Sequence, residues 1–251
     1  ITASLYYFRE GVTMEKVTKA LGMANRCDYY SSLKAYIRDA FHKTYITEDG
    51  RLTNELQGLY VMALAFGIVD GRLREQFAAR LDELVKAAGD HLQTGFLSTP
   101  FLLDVLWDNG YRDTAFAVLY QDTCPSWLYE VKMGATTIWE AWDAVGPDGK
   151  IKFGVSFNHY AYGCVCDFIY RKISGIVPLE PGFRSVKIAP ELTRELDFAQ
   201  MSYETVYGLL KVRWDKTVDG IRYDLEIPHG MTALVDTGNG IKTLGSGHWK
   251  I

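Results

Sequence analysis

Near Gly175 the apolar residues of this chain change their spacing, and that change dictates two kinds of structure in one polypeptide. Upstream, apolar positions recur at helical intervals. A helix–break–helix pattern opens the chain, its first element in two parts over 5–10 and 14–23, its second marked by Leu33, Ile37 and Phe41. Residues 56–66 are apolar nearly all round, which predicts a helix buried on most sides. After Asp70-Gly71, Phe77, Leu81, Leu84, Val85 and Ala88 form one stripe, with Arg80, Asp82, Glu83 and Lys86 expected to face water. A buried helix followed by a surface helix predicts stacked hairpins, inner then outer. Thr99-Pro100 opens a further helix, with proline at its first position. Others are expected over 115–120, 137–144 and 158–174.

Downstream the period becomes two. Leu210, Val212 and Trp214 alternate with Lys211, Arg213 and Asp215, and Ile221, Tyr223, Leu225 and Ile227 alternate with charged residues. Val218-Asp-Gly220 is the hairpin turn between these strands. Further strands are expected over 186–188, 199–205, 232–235 and 248–251. The chain therefore reads as mainly α with a β module: an α region over 1–176, a linker at 176–182 carrying Pro178, Pro181 and Gly182, and an antiparallel β-sandwich over 182–251.

A net charge of −4 without any run of Lys or Arg excludes the basic footprint of a nucleic-acid or anionic-membrane binder. The longest apolar run, 59–68, is too short to span a bilayer. Cys27, Cys124, Cys164 and Cys166 fit no zinc or redox spacing and are expected to be buried free thiols. Dinucleotide, P-loop, zinc-protease and serine-hydrolase motifs are absent, so neither cofactor nor metal is expected. Without an initiator Met or signal peptide, Ile1 leads straight into helix-like sequence, as in the downstream piece of a longer chain.

Residues 134–143, Gly-Ala-Thr-Thr-Ile-Trp-Glu-Ala-Trp-Asp, place Glu140 between two tryptophans, Trp139 and Trp142, able to lie against a sugar ring. A carboxylate there suits the acid–base work of glycoside cleavage, which needs a carboxyl pair about the bond. Equally, Thr137-x-x-Glu140 is a capping box, in which the glutamate only satisfies a helix start. Asp143 could be a second carboxylate but reads more readily as solvated. His159, in Ser156-Phe-Asn-His-Tyr-Ala-Tyr-Gly163, is either structural or a hydrogen-bond partner for a sugar hydroxyl. His91 sits on a short Gly-bounded loop and is a weaker candidate.

Four segments in order resemble the bacterial α-L-rhamnosidases: Gly-Asp-His-Leu-Gln-Thr-Gly-Phe-Leu-Ser-Thr-Pro at 89–100, Pro125-Ser-Trp127, Gly-Ala-Thr-Thr-Ile-Trp-Glu at 134–140, and 156–163. The β tail through Gly245-Ser-Gly247 is similar to that family's C-terminal module. The resemblance implies the later hairpins of a six-hairpin α/α barrel followed by the sandwich. It further implies hydrolysis of terminal α-linked L-rhamnose with inversion, Glu140 as general base, and His159 contacting the rhamnose, with Trp139 beside it in the substrate site. In an inverting enzyme the acid and base stand about 6.5–9.5 Å apart, leaving room for water. The family's general acid lies in an upstream Asp-x-x-Glu-Arg-x-Gly-Trp-x-Gly-Asp motif, which Arg9-Glu10-Gly11 does not match. A C-terminal fragment is therefore expected, with inner helices such as 56–66 exposed unless a preceding part or an oligomer covers them. Another inverting glycosidase on the same barrel, or a non-catalytic carbohydrate-binding remnant, would leave the same sequence traces.

Overall fold

Helices α1 (Thr2–Ala20) and α2 (Ala24–Tyr45) fold back on one another in the computed structural model, which describes residues 1–192 and 195–251. The same pairing recurs at α3 (Gln57–Phe66) with α4 (Gly71–Ala87), and at α5 (Thr99–Asp108) with α6 (Arg112–Tyr120). Helix α3 packs on α1 and α5, while α4 meets α6, so inner and outer layers follow the order read from the sequence. Packing divides the chain into two units, Ile1–Gly163 and Cys164–Ile251.

Local chemistry explains the differences from expectation in the first unit. Helix α1 is continuous, not two-part, because Gly11 is a buried helical position: a Cβ there would lie 3.6 Å from the Lys34 Cβ on α2. On α4, Asp82 is buried rather than water-facing, accepting from the Thr114 hydroxyl on α6 and pairing with Lys86 at 2.6 Å. Helix α3 is not the exposed inner helix expected of a fragment. Leu59, Tyr60, Val61, Met62 and Leu64 are buried; Ala65 is exposed, and the preceding Leu56 stands 57% exposed. The first hairpin also carries open apolar side chains, at Tyr7, Val17, Tyr29 and Tyr36.

A short helix, α7 (Trp127–Lys132), follows Cys124-Pro125, its start capped by Ser126 Oγ accepting from the Tyr129 amide at 3.1 Å. The helix expected over 137–144 does not form; those residues run as bends and turns. That expected over 158–174 begins late, as a 3₁₀ turn (Ala161–Cys164), then α8 (Val165–Phe168) and a π turn (Ile169–Ile173).

The second unit holds two four-stranded sheets, β1-β2-β6-β7 and β3-β4-β5-β8. Their strands are β1 (Ile176–Pro178), β2 (Ser185–Ile188), β3 (Phe198–Thr205), β4 (Gly208–Thr217), β5 (Gly220–Ile227), β6 (Thr232–Asp236), β7 (Ile241–Leu244) and β8 (Gly247–Lys250). The stretch read as linker thus contributes a strand, and β7 is an addition. Pairing is antiparallel except between β2 and β6, which run parallel. Alternation placed the core correctly: Leu210, Val212, Trp214, Tyr223, Leu225 and Ile227 are buried, as are Val186, Ile188, Ala233 and Val235 on the other sheet. The Tyr223 hydroxyl donates to the Asp236 carbonyl at 2.6 Å, tying one sheet to the other. None of the four cysteines forms a disulfide, but none is buried as expected: Cys27, Cys124 and Cys164 are partly exposed and Cys166 is exposed.

Candidate active site

Two irregular segments lie against each other after α7. Their pairing begins at a bridge between Val145 and Ile151, where the Lys152 amide donates to the Ala144 carbonyl at 2.8 Å. Farther along, the Glu140 amide donates to the Ser156 carbonyl at 2.9 Å, and Ser156 N–H donates back to Glu140 Oε2 at 2.8 Å. The His159 amide reaches the Ile138 carbonyl at 2.9 Å, and the Thr137 hydroxyl donates to the Phe157 carbonyl. These bonds are why no helix forms at 137–144: the hydroxyl and carboxylate that would make a capping box are committed to a neighbouring segment.

The half-buried Glu140 carboxylate therefore has one oxygen anchored by a backbone N–H, while Oε1 has no partner among the described residues. His159 Nδ1 accepts from the Ala161 amide at 3.3 Å, which leaves Nε2 as the N–H donor of the neutral ring. The imidazole stacks on Phe96, with centroids 4.8 Å apart, and on the exposed Tyr160. Phe96 also meets Tyr162, which stacks on Trp142 at 3.9 Å, and Trp142 stands edge-on to Trp127. An aromatic wall thus runs from the histidine to the residues beside Glu140.

Trp139 is placed otherwise. Its ring is 3% exposed and packs edge-to-face on Phe157, so the sugar-facing role expected of it finds no open face. Asp143 is exposed and held by Lys152 at 2.9 Å, which lowers its carboxyl below the usual range. It is the solvated carboxylate. Both ring nitrogens of His91 are occupied, Nδ1 by the Ala88 carbonyl at 2.9 Å and Nε2 by Thr123 at 2.8 Å, so it braces two loops. Among the described residues no His, Cys, Asp and Glu cluster could hold a metal ion.

Sequence reasoning passed over Glu130. It lies on α7, 2% exposed, and its Oε2 accepts from the Trp139 amide at 3.2 Å while Oε1 is buried without a partner. Burial pushes its carboxyl up to about 7. The folded chain holds this proton up to that pH, whereas the unfolded chain releases it near 4.5. Between those values the folded state binds more protons, so stability falls as pH rises. The loss is complete above 7 and amounts to about 3 kcal/mol. Urea unfolding of the wild type at pH 5 and pH 8 is expected to show most of that loss, and Glu130→Gln to abolish it. Equal slopes in the two proteins would contradict the assignment.

The family model for the bacterial alpha-L-rhamnosidase 6 hairpin glycosidase domain matches residues 1–173, and that for the bacterial alpha-L-rhamnosidase C-terminal domain matches 175–247. An alpha-L-rhamnosidase of Streptomyces avermitilis is 40% identical over 208 residues, covering 82% of this chain and 20% of the relative. One from Alteromonas sp. is 33% identical over 237 residues, covering 93% and 26%. The chain thus spans about a fifth to a quarter of the length of these curated relatives. The crystal structure of the S. avermitilis enzyme complexed with L-rhamnose superposes with a TM-score of 0.88 at 34% identity, over 99% of this chain and 26% of that one. The native Aspergillus terreus enzyme gives 0.89 at 30% identity, over 98% and 29%. By sequence and by fold alike, this chain belongs to the bacterial α-L-rhamnosidase family.

Proposed function

We propose that this chain supplies the later hairpins and the general base of an inverting glycoside hydrolase that removes terminal α-linked L-rhamnose from glycosides or polysaccharides. The observation that carries the assignment is the Glu140 carboxylate, one oxygen fixed by Ser156 N–H and the other uncommitted. A base so held can take a proton from water on its free oxygen without reorienting. The general acid belongs to hairpins preceding those described, and the open apolar face of α1 and α2 is where they would pack. The barrel part ends before β1, and the C-terminal domain runs from β1 onward. The substrate is a carbohydrate; nucleic acid, membrane and cofactor play no part.

His159 donates from Nε2 to a rhamnose hydroxyl, and the aromatic wall behind it excludes water. Trp139 acts from beneath, packed under the loop. In the polypeptide that carries the acid, His159→Ala is expected to raise KM for a nitrophenyl rhamnoside about 3–10-fold, the equivalent of one hydrogen bond. An unchanged KM would remove that contact. The assignment as a whole is tested on a panel of nitrophenyl glycosides. Hydrolysis of the α-L-rhamnoside with an inverted product supports it, preference for another sugar transfers it to a sister glycosidase, and binding without turnover reduces the chain to a carbohydrate-binding remnant.

A further inference from the structure

We propose that Glu130 is a positioning residue for Glu140: its buried carboxyl holds the Trp139 amide, and so fixes the loop that presents the next residue. The inference rests on the reading of Glu140 as general base.

Helix α7 grips the following loop at three points. Trp127 Nε1 donates to the Tyr162 carbonyl at 2.9 Å, the Tyr129 hydroxyl donates to the Val145 carbonyl at 2.7 Å, and Glu130 takes the Trp139 amide. The first two hold the ends of the region. Only the third touches the residue bonded to Glu140, and only it uses an acid. On the far side, Ser156 clasps Glu140 itself. The base is therefore held between a backbone clasp and a buried carboxyl.

A buried carboxyl with one hydrogen bond and one orphaned oxygen is an expensive way to satisfy a single amide. Among the described residues no cation compensates it. On its own helix, Lys132 is exposed and pairs with Asp122. On the loop, Asp143 turns out to Lys152. Before the helix stands the Cys124 thiol, raised by burial and by the nearby negative charge of Asp143. Glu130 is accordingly neutral below about pH 7, where burial sets its ionisation. Above that pH the Trp139 amide holds the charged oxygen more tightly, while the unpartnered oxygen draws water beneath the loop and shifts Glu140.

The test uses the polypeptide that carries the general acid, with a nitrophenyl α-L-rhamnoside. Glu130→Gln keeps an acceptor for the Trp139 amide but cannot ionise. It is expected to keep wild-type kcat at pH 6 and to lose the decline in kcat centred near 7. Glu130→Met keeps the volume without the acceptor, and is expected to lower kcat roughly 10–10²-fold with KM little changed, as misplacement of a catalytic group does. Should the Met protein fail to fold, the Gln pH profile decides alone. Superimposable pH profiles for wild type and Glu130→Gln overturn the proposal, as does wild-type kcat in a folded Glu130→Met. A parallel Glu140→Gln separates the two readings. If it is fully active, the base assignment fails; if it is inactive while the Glu130 variants match wild type, only the positioning role does.

Discussion

Glu140→Gln, made in the polypeptide that carries the general acid, is expected to lower kcat for an α-L-rhamnoside by roughly 10²–10⁴-fold or more. That corresponds to about 3–5 kcal/mol of transition-state stabilisation. The amide keeps the shape and can still accept from Ser156 N–H, so the loop and the fold are preserved. What it loses is the capacity to take a proton from water at the other oxygen. KM is expected to change little, since the interaction removed belongs to the transition state. Steady-state kinetics together with unfolding midpoints separate this outcome from a folding defect. A Gln variant with wild-type kcat would remove Glu140 from the chemistry and leave it as a loop clasp.

The second large effect lies in the β unit. Trp214 on β4 is fully buried, with Ala199 and Tyr223 as its neighbours across the ladder, and its Nε1 donates to the Ile173 carbonyl at 2.7 Å. Trp214→Ala removes the ring and orphans that carbonyl, at an expected cost of about 3–5 kcal/mol. Trp214→Phe keeps much of the volume but not the donor, and is expected to cost about 1–2 kcal/mol, close to one hydrogen bond. Chemical denaturation followed by near-UV circular dichroism measures both. Equal losses for the two variants would show that packing at this site depends on the indole shape and not on its N–H.

Elements with their own pattern were legible in the sequence. Helix α4 shows one apolar stripe, and β4 and β5 alternate strictly across a Val218-Asp-Gly220 turn, so local spacing sufficed. The misreadings arise where distant residues decide. Thr137 and Glu140 carry a helix-start pattern, but Phe157 and Ser156 compete for their side chains. Helix α7 has six residues, fewer than two turns, too few for periodicity to register. Strand β7, with sequence Ile-Lys-Thr-Leu, is equally short. Motif order marked out the loops bearing Glu140 and His159. It gave no sign of Glu130, because a glutamate on a short helix is by default a surface residue. Nor did it show that, of the two tryptophans flanking Glu140, Trp139 would turn inward and Trp142 would stack on Tyr162.

The parallel pairing of β2 with β6 bears on how the protein is made. Strands β3, β4 and β5 all lie between them in sequence, so the strand at 185–188 emerges from the ribosome long before its neighbour at 232–236 has been synthesised. During that interval one of its edges is open to the wrong partner. Closure of this sheet is a late event in biosynthesis, and nascent chains stalled before Thr232 would be more prone to clump than chains released a few residues later.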